Sequence, residues 1–204
     1  MSAAPVIHVV DDDPLFRRGV GRLLQAAGYQ VALYSSGHQL MQCDGLSGLA
    51  CILLDLQMAK LDGLELQQRL KCAGCALPIV FLTGHGDVPA SVKAIKAGAE
   101  DFLTKPVSRG ILVDAVENAL ARCRRQLDER DRIDALRSRV AALTPRERQV
   151  FSLVVHGKMN KEIAFQLGTS ERTIKAHRHA IMEKLNVRSV AAAVSFAERL
   201  GMLD

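Results

Sequence analysis

The stretch Cys51-Ile52-Leu53-Leu54-Asp55 sets four apolar residues in a row and closes them with one carboxylate. A short aliphatic run without alternation reads as a strand buried on both faces, and such strands belong to parallel sheets. Four further runs flank it, at residues 6–10, 30–34, 79–83 and 101–104. Between them lie helical patterns at about 14–27, 37–41, 63–72 and 89–97, with a fifth beginning near Ser108. Strict strand–helix alternation predicts an α/β unit, a five-stranded parallel sheet with helices on both faces. In such sheets functional groups gather outside the carboxyl ends of the strands. Here the ends of strands one, three, four and five carry Asp11-Asp12-Asp13, Asp55, Thr83 and Lys105.

The chain has 204 residues, 49% hydrophobic and 24% charged, with no tryptophan. This is ordinary globular composition with room for two small domains, and it excludes a large multidomain enzyme. No run approaches the roughly 18 apolar residues of a membrane span, and the first residues lack a signal-peptide pattern, so a cytoplasmic location without membrane partners is expected. Its five cysteines are an odd number, expected as free thiols. Cys72-Ala-Gly-Cys75 has the spacing of half a zinc site or a redox pair, but no second pair or nearby histidine completes four ligands, so neither is assigned.

Charge divides along the chain. Residues 1–120 hold 10 Lys+Arg against 12 Asp+Glu, net −2, whereas residues 121–204 hold 17 against 10, net +7. A basic second half points to a polyanionic partner, most often nucleic acid. From Val113 the apolar positions Val116, Leu120, Cys123 and Leu127 form one stripe of a long helix running into a charged linker. The stripe slips by one residue before Ile133, which leaves open whether the linker is one rigid helix or bends at the charged break near 128–131. Thr144-Pro145-Arg146-Glu147 then announces a new helix through a capping box and a first-turn proline. That helix is expected to end at Gly157, a second to run from Asn160 to Gly168, a third from Ser170 through about Leu185, and a fourth from near Ser189. Four short helices with a tight glycine turn between the middle two predict an all-α helix-turn-helix unit. The expected boundaries are therefore 1–120, a helical linker at 121–142, and 143–204.

Three consecutive carboxylates at a strand end repel one another unless they are exposed, partly protonated or gathered around a cation. A hard divalent ion, Mg²⁺ or Mn²⁺, takes carboxylate oxygens, waters and phosphate oxygens. Asp12 and Asp55 are the candidate direct ligands, with Asp11 acting through water. Asp55, lifted into the crevice by its apolar strand, is a candidate nucleophile toward phosphorus. The Lys105 ammonium and the Thr83 hydroxyl would hold the phosphoryl oxygens. On the third helix of the second half, Ile174, His177, Ile181 and Leu185 fall on one side, and Arg172, Lys175, Ala176, His179 and Glu183 on the other. The first face is expected to pack, with His177 at the core edge, and the second to read a major groove. Lys158, Asn160 and Lys161 would meet phosphates.

Residues 5–120 resemble the receiver domain of two-component response regulators, through VVDDD at 9–13, LLDLQMAKLDG at 53–63, FLTGHGD at 81–87 and DFLTKP at 101–106. The resemblance implies a flavodoxin-like fold, Asp55 as phosphoacceptor, Asp11 and Asp12 as the metal pocket, and the Gln57 carbonyl as a further ligand. It makes Thr83 and Phe102 a switch pair acting on the face of the fourth helix, fifth strand and fifth helix, and it implies a cis Lys105–Pro106 bond. One departure is Ala59, where the family usually has proline. Residues 143–199 resemble the LuxR/FixJ-type helix-turn-helix module, through LTPRERQVF at 143–151, the run from Gly157 to Leu185, and VRSVAAAV at 187–194. This implies a recognition helix from Ser170, contacts to DNA from Lys158, Asn160, Lys161, Arg172, Thr173, Lys175, Ala176 and His179, and a dimerisation helix from Ser189.

Together the two halves resemble a FixJ/NarL-type transcription regulator. Its implied partners are a sensor histidine kinase, double-stranded promoter DNA, a second copy of the chain on activation, and RNA polymerase. An enzyme reading, a phosphatase with an aspartyl-phosphate intermediate, expects a second acid two residues after the nucleophile, where Gln57 stands. Autodephosphorylation alone is expected. The regulatory alternative is a phosphorylation-independent DNA-binding protein that uses its first half to dimerise.

Overall fold

The structure is a computed structural model that describes residues 4–43, 45–59, 61–84 and 88–203, side chains excepted at 88–91. Lys60 and the His85-Gly86-Asp87 end of the third quoted segment lie outside the described residues. The chain divides into two units, Met1–Leu127 and Asp128–Asp204.

In the first unit strands and helices alternate as expected: β1 (Val6–Val10), α1 (Pro14–Ala26), β2 (Gln30–Tyr34), α2 (Gly37–Met41), β3 (Ala50–Asp55), α3 (Gly63–Cys72), β4 (Ile79–Thr83), α4 (Val88–Lys96) and β5 (Asp101–Thr104), followed by α5 (Arg109–Ala141), which begins in this unit and continues past Leu127. The described strands form one sheet in the order β2-β1-β3-β4-β5, every pair parallel. The apolar run at 51–55 is the middle strand, buried from end to end. Successive strand side chains point to opposite faces. Thus Ile7, Val9, Cys51 and Leu53 meet α1 and α5 through Val20, Leu24, Leu112 and Val116. On the other face Val10, Ile52, Leu54 and Phe81 meet α2, α3 and α4 through Leu40, Leu66, Leu70 and Ala94. β3 begins one residue before the expected start, because Ala50 still pairs with Val6.

Helix α5 runs unbroken from Arg109 to Ala141, so the charged segment at 128–131 does not interrupt it. Ion pairs one turn apart suit the helix there: Arg132 to Glu129 at 3.7 Å and Arg137 to Asp134 at 3.2 Å. The buried stripe also takes in Leu112, Ala115 and Ala119, small or aliphatic residues beside the expected Val116, Leu120 and Cys123.

The second unit holds α6 (Pro145–Val155), α7 (Asn160–Gln166), α8 (Glu171–Leu185) and α9 (Val190–Arg199). The capping box forms: the Glu147 amide donates to Thr144 Oγ1 at 3.2 Å and the Thr144 amide to Glu147 Oε2 at 2.7 Å. Ser170 and Ser189 cap α8 and α9. Helix α8 ends at Asn186, the one described non-glycine residue with positive φ (54°), a conformation asparagine tolerates. Val150, Phe151, Ile163, Ile174, Ile181, Leu185 and Phe196 build the core, with the Phe151 and Phe196 rings edge to face at 6.5 Å. On α9, Val190 and Ala191 are exposed, whereas Val194 packs partly against this core.

Candidate functional site

Each acidic residue expected in the crevice arrives there on a strand end, and the chain uses each differently. One oxygen from each of Asp11, Asp12 and Asp55 lies within 4.8 Å of the others, which is oxygen chemistry suited to a hard divalent cation. Asp13 does not join them. Its Oδ1 caps α1, accepting from the amides of Leu15 (2.8 Å) and Phe16 (3.3 Å).

Asp11 is fully buried, and Oδ1 accepts from the Asp13 amide at 2.8 Å. Lys105 bridges the acidic pair: its Nζ donates to Asp11 Oδ2 at 2.7 Å and lies 3.1 Å from Asp55 Oδ2. The same ammonium sits 4.2 Å from the centre of the Phe16 ring, and the Lys105–Pro106 bond is cis. The Asp55 carboxyl is held above the usual carboxylate range. Burial is the main cause and Asp11 adds to it, while Lys105 and the Gln57 amide, 3.3 Å from Oδ1, pull the other way.

Asp12 and Gln57 are exposed at the rim. Asp12 Oδ2 accepts from the Ala59 amide at 3.0 Å, a donor that proline in that place would lack. Thr83 is buried at the end of β4, and half-buried Phe102 on β5 has its ring 6.3 Å from that of Phe81. Gly63 brings the loop after Asp55 back under the site. A Cβ there would stand 2.6 Å from the Asp55 carbonyl oxygen and 2.9 Å from the Phe81 ring, so glycine permits the approach.

In the second unit Arg172, Thr173, Lys175, Ala176, His179 and Glu183 are exposed on α8, while Ile174, Ile181 and Leu185 are buried and His177 is half-buried. The helix thus presents the expected polar face. Thr173 is engaged at the helix start, where its amide donates to Ser170 Oγ at 3.2 Å and the two hydroxyls lie 2.9 Å apart. His179 Nε2 lies 3.6 Å from Glu183 Oε1. Lys158 and Lys161 are exposed beside the start of α7, whereas Asn160 is half-buried with Oδ1 unpaired among the described residues.

The response regulator receiver domain model matches residues 7–117, and the luxR-family model of bacterial regulatory proteins matches residues 141–197. The chain belongs to the FixJ/NarL family of two-component response regulators. This response regulator is 39% identical over 197 residues to the response regulator protein TodT of Pseudomonas putida, spanning 97% of this chain and 87% of TodT. It is 38% identical over 200 residues to the transcriptional regulatory protein FixJ of Bradyrhizobium diazoefficiens, spanning 97% of both chains. The solved structure of the response regulator StyR superposes with a TM-score of 0.83 at 42% identity, covering 97% of this chain and all of that one. The response regulator is accordingly a transcription regulator with a LuxR-type DNA-binding domain. Among its described residues no helix is long and apolar enough to cross a membrane.

Sequence reasoning missed one contact that shapes the regulator's second unit. Glu147, buried on α6, receives the Lys184 ammonium of α8 at 2.9 Å on Oε1 and 2.6 Å on Oε2, besides closing the capping box. A glutamate and a lysine 37 positions apart carry no local signal of pairing.

Proposed function

We propose that the regulator is switched by phosphorylation of Asp55 by a sensor histidine kinase. The boundaries proposed are a receiver at 1–120, a helical linker at 121–142 and a DNA-binding domain at 143–204. The observation that carries the reading is the Lys105 ammonium placed on both Asp11 and Asp55, beside a third carboxylate from Asp12. A carboxylate oxygen of Asp55 attacks the phosphorus of the kinase's phosphohistidine, the P–N bond breaks and the imidazole leaves with a proton, while Lys105 turns its ammonium toward the transferred phosphoryl oxygens. Asp11, Asp12, Asp55 and the Gln57 carbonyl would hold Mg²⁺ or Mn²⁺, which supplies charge neutralisation at those oxygens. Thr83 donates to a phosphoryl oxygen, and the Phe102 ring follows it inward, biasing a two-state face toward dimerisation.

The dimer presents two α8 helices to paired half-sites of promoter DNA. Lys175, Ala176, His179 and Arg172 face base edges, and Lys158, Asn160, Lys161 and Thr173 meet the backbone, with RNA polymerase the downstream partner. Hydrolysis of the acyl phosphate by the regulator itself limits the signal in time, and the protein acts in the cytoplasm. The test is promoter-DNA affinity of wild type and Asp55→Asn, each with and without a small acyl-phosphate donor. Donor-dependent tightening in wild type alone is expected. Equal affinity in all four samples would overturn the switch in favour of a phosphorylation-independent regulator.

A further inference from the structure

The Cys72-Ala-Gly-Cys75 spacing suggests a close pair, but the fold gives the two thiols different surroundings. Cys72 is exposed in the last turn of α3, whereas Cys75, past the Gly74 turn (φ 77°), packs half-buried against the core on the α2, α3 and α4 face. A third thiol, Cys43, packs half-buried against the same core just beyond the end of α2. Helices α2 and α3 are in contact, and Cys43 and Cys75, 32 residues apart in sequence, line one surface cavity of about 280 Å³ together with Met41, Leu46 and Leu70.

Cys43 is also the end of a buried hydrogen-bond chain. The Tyr34 hydroxyl donates to Cys43 Sγ at 3.4 Å, and His8 Nδ1 lies 3.1 Å from the same hydroxyl. With the hydroxyl proton committed to sulfur, His8 Nδ1 carries the hydrogen and donates to the tyrosine oxygen. His8 Nε2 is then left as a buried acceptor, unpaired among the described residues. Burial lowers the His8 pKa, which agrees with a neutral ring. The remaining cysteines differ. Cys51 is fully buried in the sheet with its pKa raised to about 12 by burial, and buried Cys123 donates to the Gly48 carbonyl at 3.3 Å.

We propose that Cys43 and Cys75 form a peroxide-oxidisable dithiol, with Cys43 the attacking sulfur and Cys75 the resolving one. The thiolate is the attacking form, and a donating hydroxyl is a partner that form keeps. Cys43 sulfur attacks one peroxide oxygen and the O–O bond breaks. Sulfur, oxidised by two electrons, becomes the sulfenic acid, and the other oxygen leaves as hydroxide and is protonated to water. Cys75 sulfur then attacks Cys43 sulfur, the S–O bond breaks, hydroxide leaves and takes the Cys75 proton as a second water, and the disulfide forms. The pair lies on the connections that enter β3 and β4, at the opposite strand ends from Asp55 and Thr83, so the proposal is independent of the phosphoacceptor reading.

The test treats the full-length folded protein with hydrogen peroxide, alkylates the remaining thiols and maps peptides by mass. A thiol-reversible Cys43–Cys75 cross-link is expected, lost in Cys43→Ser. In Cys75→Ser a dimedone-trappable sulfenic acid should persist on Cys43. Tyr34→Phe should slow Cys43 oxidation about five-fold, the worth of roughly one hydrogen bond, while Cys72 alkylation is unchanged. Circular dichroism establishes that each variant is folded. Oxidation of folded protein without a 43–75 cross-link, or with Cys72 joined to Cys75, would overturn the proposal. An unchanged rate in Tyr34→Phe would overturn the role given to the hydrogen-bond chain.

Discussion

Glu147 shows how one side chain can serve two structures at once. It closes the α6 capping box with Thr144 and holds Lys184 of α8, and these bonds depress its carboxyl pKa to about 2, the Lys184 hydrogen bond first and the Thr144 amide second. A carboxyl whose folded pKa lies below its unfolded value stabilises the fold above the unfolded pKa and loses that contribution as pH falls through the folded one. The Asp128–Asp204 unit should therefore lose stability between about pH 5 and pH 2, followed by thermal melting. Glu147→Gln should flatten that pH dependence and, at neutral pH, lower stability by about 1–2 kcal/mol through the lost cap and ion-pair hydrogen bonds. A variant with unchanged pH dependence would contradict the assignment. Asp13 shows the same in the other half, since of the three consecutive carboxylates the fold spends the third on the α1 cap. Nor was the Ala59 amide legible as a partner for Asp12, because a backbone donor 47 residues away leaves no mark in a motif.

At the scale of elements, the strands were legible because burial on both faces demands unbroken aliphatic runs, as at Ile52, Leu53 and Leu54. Helix α5 was legible only in part: the slip of the apolar stripe left open whether the charged segment near 128–131 bends, and Arg132 with Glu129 and Arg137 with Asp134 pair along a helix that runs unbroken to Ala141. The junction of β3 with α3 is the tightest element boundary at the site. Gly63→Ala would press a methyl against the Asp55 carbonyl and the Phe81 ring, so it should destabilise the receiver by roughly 1–3 kcal/mol in urea unfolding. On α8, Lys175→Ala should weaken promoter binding and change discrimination at its base pair by about 1–3 kcal/mol, measured by titration against single-base operator variants. Uniform weakening across all variants would make Lys175 a phosphate contact instead.

At the scale of the whole molecule, the sign change in charge along the chain already separated the two halves. Residues 1–120, net −2, carry the crevice, and residues 121–204, net +7, carry the exposed face of α8. Local capping and glycine signals placed all four helices of the second unit, because each boundary there is set by neighbours such as Thr144, Gly157, Ser170 and Ser189. Juxtapositions across the fold, Cys43 and Cys75 lining one cavity and Glu147 on Lys184, needed the structure. The switch depends on the crevice taking a phosphoryl group at Asp55. The intact mass of the protein after incubation with Mg²⁺ and a small acyl-phosphate donor, beside Asp55→Asn treated identically, reads this step. A single phosphoryl adduct on the wild type and none on the variant is expected; an unmodified wild type under every metal and donor condition, or an equal adduct on Asp55→Asn, would overturn phosphorylation at Asp55.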